Sequence, residues 1–298
     1  LFDIPEVRDT MDRVEGVPLG REVKIAPLVA LVFRNAGHIP GAACAELQIG
    51  AGANRKMTGR MLRQLIDKPY PPRQKVAAKK DDVERLLASS LFSGVAATRM
   101  VFVNGEYDKA LSKQANGWVE STAELSDPVN LMNVAFATDG ARLRIEGNVD
   151  TPIELVFIAT DAAPRTVATR NVIEIADDAS ATVIETHLGE GSYLSNVVTE
   201  IRIGHNARLD RVKVELESHD AVHLAHCHVI VGQNVTFRDF TLTTGAKLNR
   251  QNGTFRFIGE FADAKISGAY LLAGKQHADT ALIVDHEVPN CASRELFK

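Results

Sequence analysis

A mainly β protein, built as a parallel β-helix of stacked coils of about 28 residues and preceded by a small helical N-terminal region, is the fold class this sequence predicts. Three observations carry it. A phrase made of a branched apolar residue, a small residue and two variable residues occurs four times, as Ile175-Ala176-Asp177-Asp178, Ile203-Gly204-His205-Asn206, Val231-Gly232-Gln233-Asn234 and Ile258-Gly259-Glu260-Phe261. Its small residues lie 28, 28 and 27 positions apart, and a fixed period of this size means stacked units. After each phrase apolar and polar residues alternate, through Ala179/Ala181/Val183, Ala207/Leu209, Val235/Phe237 and Ala262/Ala264/Ile266, which is the period of a strand with one apolar face.

Each unit therefore reads as strand, tight corner, strand. Glycine suits such a corner because it reaches positive φ without a Cβ clash, and Asn206 and Asn234 tolerate left-handed geometry. The register extends upstream to Ile153, expected to stack 28 residues before Ala181, with Leu155 and Phe157 on the same face, so the array begins near Arg142. Antiparallel hairpins in a meander could use the same units. The near-constant spacing favours the β-helix, because a coil must keep equivalent residues in register whereas hairpin lengths drift.

Ahead of the array the pattern changes, which divides the chain into a partly helical region over 1–98 and a β-helix core over 99–298. Thr58 is a candidate cap for a helix with Met61, Leu62, Leu65 and Ile66 on one face, ended by Pro69-Tyr70-Pro71-Pro72. A second helix is expected after Lys79-Lys80-Asp81-Asp82, with Val83, Leu86, Leu87 and Leu91 on one face. Val101 and Val103 lead to Asn104-Gly105, a strong short hairpin signal. Residues 1–55 carry no clear pattern.

Composition bounds function more by exclusion. The 298 residues set a prior of about two domains. Net charge is −4, from 34 basic and 38 acidic residues mixed along the chain, which makes no electrostatic case for nucleic acid or an anionic membrane. Apolar stretches are too interrupted to span a bilayer, and the first 20 residues lack the apolar core of a signal peptide. Cys44, Cys227 and Cys291 are too few for a disulfide framework and suit a reducing cytoplasm. Leu1 is no natural start, so the sequence is expected to be incomplete at its N-terminus.

A phosphate loop, a nucleophile elbow and a Cys-x-x-Cys pair are missing from the sequence. Gly50-Ala51-Gly52-Ala53-Asn54-Arg55 resembles a dinucleotide turn but lacks its third glycine. The richest ligand cluster is His223-Leu224-Ala225-His226-Cys227-His228. On a strand His226 and His228 share one face while Cys227 points the other way with His223, so no third ligand joins the His226/His228 pair. These two histidines are expected to lie outward, solvated and without metal, and Cys227 inward as a small hydrophobe. His286 and Cys291 flank the Pro289-Asn290 turn, and Asp239 and Asp285 sit in or beside repeat strands, where paired acids are common on a solvated sheet. Spacing assembles none of these into a triad. The sequence thus assigns no catalytic residue and no metal ligand, and it leaves any cofactor-binding residues unknown.

Several ordered segments carry a family resemblance. Met100-Val101-Phe102-Val103-Asn104-Gly105-Glu106-Tyr107, the Leu131 to Gly140 stretch, Tyr193-Leu194-Ser195-Asn196-Val197-Val198-Thr199-Glu200, Gly268-Ala269-Tyr270-Leu271-Leu272 and the tail His277-Ala278-Asp279 with Asp285 to Glu295 resemble successive signatures of the SufB/SufD family, most closely its SufD branch. The resemblance spans roughly 83–298. It implies a right-handed parallel β-helix that acts as a non-enzymatic scaffold in iron–sulfur cluster assembly, in the cytoplasm, beside a SufB-like subunit and a SufC-like ATPase. It implies no cofactor bound by this chain alone and a transient iron–sulfur cluster at the assembled complex. Alternation in Cys291/Ser293/Glu295/Phe297 stops at Lys298 in mid-coil, so the stack is expected to be truncated, with the partner contacts beyond Lys298 and the open coil available for self-pairing as a homodimer.

Two other classes of protein use a repeating β architecture. A β-helix carbohydrate-active enzyme would present carboxylates and basic residues in a groove along the coils and would usually be secreted. A structural solenoid that stacks end to end would want near-identical terminal coils without a helical preamble.

Overall fold

Two parallel sheets face each other across a shared interior, and each coil adds one strand to each of them. The computed structural model describes the backbone strands at 22–26, 29–35 and 43–49, and residues 78–298 apart from 118, 122–127 and 161–164. The first sheet contains β1 (Glu22–Ala26), β2 (Val29–Asn35), β3 (Ala43–Ile49), β6 (Arg142–Ile145), β8 (Thr166–Ile175), β10 (Leu194–Ile203), β12 (Val222–Val231), β14 (Leu248–Phe257) and β16 (His277–His286). Its order is β1-β2-β3-β16-β14-β12-β10-β8-β6. The second contains β4 (Thr98–Val103), β5 (Glu106–Tyr107), β7 (Ile153–Ala159), β9 (Ser180–Gly189), β11 (Arg208–Leu216), β13 (Thr236–Thr243), β15 (Asp263–Tyr270) and β17 (Ala292–Phe297), in the order β17-β15-β13-β11-β9-β7-β4-β5.

Strands of successive coils pair in parallel, Leu194 beside Thr166 and Val222, and Arg208 beside Ser180 and Thr236. The parallel β-helix reading holds and the hairpin meander does not. Parallel strands need long crossovers, here the return path through the opposite sheet. One register expectation fails, because Ile153 lies beside Val183 rather than Ala181. The stack also starts before Arg142, since β4 pairs in parallel with β7.

Next to the corners the interior is apolar. Ile173, Ile201, Val229 and Phe255 form a column in one sheet, and Ala181, Leu209, Phe237 and Ala264 form one in the other, all buried. Each large aliphatic or aromatic side chain so placed contributes roughly 1.5–3 kcal/mol.

Corner chemistry differs from the sequence expectation in which residue turns the chain. Positive φ falls at Asp178 (60°), Asn206 (56°), Asn234 (55°) and Phe261 (63°), two positions after the small residue, while Gly204, Gly232 and Gly259 keep ordinary backbone angles. These glycines are required by closeness. A Cβ on Gly204 would meet the Asp177 backbone N at 2.7 Å, and one on Gly232 the Ile203 carbonyl oxygen at 2.8 Å. The left-handed residues stack into a polar ladder, Asn206 Nδ2 donating to Asp178 Oδ1 and Asn234 Nδ2 to Asn206 Oδ1, each at 3.0 Å. Phe261 interrupts the ladder, being exposed and bulky at a left-handed position. Phe261→Asn should therefore stabilise the protein by about 1 kcal/mol, read as a higher midpoint of urea unfolding. A lowered midpoint would contradict this account of the corner.

One helix covers the outer face of each sheet. α1 (Lys80–Ala88) buries Val83 and Leu86 against Val101, Val156, Ile158 and Leu188, as its periodicity predicts. Leu91 is the exception. Ser89 caps the helix, its hydroxyl donating to the Leu86 carbonyl at 2.7 Å, so Leu91 falls past the end and is exposed. α2 (Pro128–Phe136) lies on the first sheet, where Asn133 Nδ2 donates to the Thr169 and Asn196 carbonyls at 3.0 and 2.9 Å. The hairpin at Asn104-Gly105 forms with both residues at positive φ, pairing Phe102 with Tyr107.

The expected helix at Met61 to Ile66 and the Gly50 to Arg55 turn lie outside the described residues. Among the described residues no helix is long and apolar enough to cross a membrane.

Candidate functional site

Away from the corners the same alternation that carries the apolar core delivers charged residues inward. Following Ala181 and Val183 by twos along β9 gives Glu185 and His187. Following Leu209 along β11 gives Arg211, Lys213 and Glu215, with Glu217 just beyond, and Phe237 along β13 is followed by Asp239, Thr241 and Thr243. His223 and Cys227 enter from β12 in the facing sheet. Buried charge is costly unless paired, and most of these groups are paired across coils.

Arg211 lies between two carboxylates. Its Nε donates to Glu185 Oε1 at 2.8 Å and its Nη1 to Asp239 Oδ1 at 2.7 Å, with all three side chains at or below 7% exposure. Lys213 Nζ is 2.6 Å from Glu215 Oε1. The other Glu215 oxygen accepts from Thr243 Oγ1 at 2.9 Å, Gln251 Nε2 at 3.1 Å and Asn249 Nδ2. Burial works against ionising Glu215, but Lys213 and His223 overcome it and hold its carboxyl well below the ordinary range. At Asp239, by contrast, burial dominates and raises the carboxyl despite Arg211.

His223 sits where the two sheets meet. Its Nε2 is 3.0 Å from Glu215 Oε1 and its Nδ1 is 2.7 Å from Glu217 Oε2. Burial alone would lower the imidazolium, yet the Glu217 and Glu215 carboxylates push it up to about 9. His187 is its neighbour, ring against ring edge-on at 5.0 Å, and stacks on Phe157 at 4.8 Å. Burial lowers the His187 imidazolium, so this ring is neutral.

Cys227 points inward as expected, beside a cavity of about 30 Å³ that is also lined by Arg211, Lys213, Asp239 and Gln251. Burial lifts its thiol to about 12. At neutral pH it is a protonated thiol, unlike the thiolate that nucleophilic or redox chemistry uses.

His226 and His228 face outward from β12, stacked at 3.8 Å. They are not solvated in the way the sequence suggests. Both are half-buried, and His226 lies beside α2, its Nδ1 at 2.7 Å from Asn130 Nδ2 and its Nε2 at 3.1 Å from Thr254 Oγ1. Burial, with His228 and Arg250 nearby, lowers the His226 imidazolium to about 3.

His286 and Cys291 do not form a common site. His286 Nε2 meets Ser293 Oγ at 3.2 Å, and the Cys291 thiol meets the Gly259 carbonyl at 3.2 Å. Asp239 is buried inward whereas Asp285, on β16, has the opposite strand parity, so the two acids share no solvated face.

Sequence reasoning missed Glu185, His187, Arg211, Lys213, Glu215 and Glu217. The signal was present, because extending the inward parity of Ala181, Leu209 and Phe237 four to eight residues reaches most of them.

Comparison with known proteins agrees with this architecture. Residues 157–298 match the model of the SufBD core domain of the SUF system for FeS cluster assembly. An iron–sulfur cluster assembly SufBD family protein of Mycobacterium leprae is 32% identical over 150 residues, 50% of this chain and 38% of that protein. Another, of Synechocystis, is 24% identical over 259 residues, 75% of this chain and 57% of that protein. The iron–sulfur cluster assembly protein SufD of Escherichia coli is 24% identical over 229 residues, 68% of this chain and 52% of that protein. The chain thus spans well under two thirds of the length of these relatives. With its repeat period, its parallel coil stack and these matches together, the chain is similar to the SufB/SufD family of the SUF iron–sulfur cluster assembly system, whose core domain its residues 157–298 match.

Proposed function

We propose that this chain is a SufD-like scaffold subunit that pairs with a SufB-like subunit and supports a SufC-like ATPase, in the cytoplasm, with the nascent iron–sulfur cluster as the cargo of the complex. The match to the SufBD core domain supplies the assembly system. The observation that carries the scaffold role is the coil stack itself, two parallel sheets built by repeated coils over the residues that match that domain, with a cluster of charged side chains enclosed between the sheets rather than presented in an open cleft. Hydrolysis of nucleotide falls to the ATPase in this reading.

A polysaccharide enzyme is less well supported. The carboxylates that the stack brings together, Glu185, Glu215, Glu217 and Asp239, are buried between the sheets, out of reach of a polymer lying along the outside.

Co-expression of the protein at its natural length with a SufB-like and a SufC-like partner tests the proposal. It should elute as a complex with both partners. Failure to bind either partner would overturn the scaffold role.

A further inference from the structure

Three buried side chains between the sheets each hold one polar atom that makes no well-aligned hydrogen bond: His187 Nε2, Glu217 Oε2 and His223 Nδ1, the last two an ion pair at 2.7 Å. Among the described residues, these same three side chains form a group in which one donor atom of each lies within 4.8 Å of the others. All are enclosed, at 1%, 4% and 0% exposure. Imperfect bonding of such enclosed groups is costly, since an unsatisfied buried polar group loses roughly 1–3 kcal/mol. We propose that His187, Glu217 and His223 form a binding site for a divalent first-row transition-metal ion, of the Zn²⁺ or Fe²⁺ class.

The spacing also suits a shared ion. His223 Nδ1 and Glu217 Oε2 are 2.7 Å apart without good hydrogen-bond alignment, and ligands about 2.0–2.2 Å from one ion stand roughly 3 Å apart from one another. Surrounding contacts match as well. A ligating histidine commonly donates its second ring N–H to a carboxylate, and His223 Nε2 faces Glu215 Oε1 at 3.0 Å. The second Glu217 oxygen accepts from the Tyr193 hydroxyl at 3.3 Å, which leaves Oε2 for the ion. Beside His187 and Glu217 lies a cavity of about 10 Å³, the room of one water-sized ligand.

Charge favours a dication too. The enclosed cluster holds the carboxylates Glu185, Glu215, Glu217 and Asp239 against the fixed cations Arg211 and Lys213. With His187 neutral and His223 protonated this leaves an excess of one negative charge in a water-poor interior, and a divalent ion that displaces the His223 proton leaves the cluster neutral. Two imidazoles and a carboxylate form a borderline donor set, as used for zinc and for non-haem Fe(II), rather than the all-oxygen set of Mg²⁺ or Ca²⁺. The site is separate from His226 and His228 on the outer face, and it does not depend on the scaffold reading.

Because the site is enclosed, the full chain is expressed in medium supplemented with Zn²⁺ or, separately, Co²⁺, then purified and its metal content measured by mass spectrometry. About one equivalent per chain is expected, falling at least ~10-fold in His187→Gln and Glu217→Gln and unchanged in His226→Gln and His228→Gln. Wild type containing under about a tenth of an equivalent would mean that a proton alone holds the cluster, and the proposal would fail. Retention by His187→Gln and Glu217→Gln, or loss in His226→Gln, would also overturn it. Should the buried variants not fold, X-ray absorption on the wild-type zinc form together with the two outer-face variants still decides. Imidazole and oxygen ligands at about 2.0–2.2 Å without sulfur, kept in both outer-face variants, support the site, and a zinc–sulfur distance or an absence of imidazole refutes it.

Discussion

Replacing Arg211 with methionine should lower the stability of the coil stack by about 3–5 kcal/mol, the largest single effect expected in this molecule outside the backbone. The guanidinium is the shared partner of Glu185 and Asp239 at 2.8 and 2.7 Å, and all three groups are shielded from water. Methionine would fill much of the volume but leave two carboxylates facing each other in the interior. The cause is uncompensated charge, so a compensating set of changes should recover most of the loss. Adding Glu185→Gln and Asp239→Asn to Arg211→Met removes both orphaned charges while keeping polar groups of similar size. The midpoint of urea unfolding, followed by far-UV circular dichroism, checks both steps. A midpoint in Arg211→Met close to wild type, or no recovery in the triple variant, would show that Arg211 is not the centre of this network.

Gly259→Ala should be comparably damaging, at about 3 kcal/mol or more, for a reason that involves no charge. A Cβ there would lie 2.2 Å from the backbone N and 2.5 Å from the Cα of Gln233 in the preceding coil. Those are main-chain atoms in a paired stack and cannot rotate aside as a side chain would, so the two coils must separate or shear. Gly94→Ala is the matched control, because nothing lies within 4 Å of a Cβ at that position. It should change the unfolding midpoint by less than about 0.5 kcal/mol. If both substitutions cost the same, the close approach of coils at Gly259 is not what the glycine provides.

Much of the stack was legible because a coil repeats its constraints. Every turn must meet the next in register, so the small residue recurs at nearly constant spacing, and every strand must keep one face apolar, so alternation recurs with it. The hairpin at Asn104-Gly105 and the buried face of α1 were equally readable, since each depends on neighbours a few residues away. The corner was located correctly but its mechanism was not. Periodicity marks the small residue without telling whether φ or closeness demands it, and only coordinates place the left-handed turn at Asn206 and Asn234 and the backbone of the next coil against Gly204 and Gly259.

The interior site shows the other side of the division. Strand parity in the sequence already determined that Glu185, His187, Arg211, Lys213 and Glu215 share the face of Ala181 and Leu209, and that His223 and Cys227 share a face opposite His226 and His228. Parity says which way a side chain points, not what it meets. His187 comes from one coil, Glu217 follows the strand of the next, and His223 returns from the facing sheet, so their convergence depends on how the two sheets stand across the interior. The offset between paired strands also varies, with Ile153 beside Val183 but Val222 beside Leu248, and small residues at the corners carry no record of that drift. Local chemistry determined the coil and the inward direction of its polar residues; only the tertiary packing decided that His187, Glu217 and His223 would bring one ligand atom each within 4.8 Å of the others.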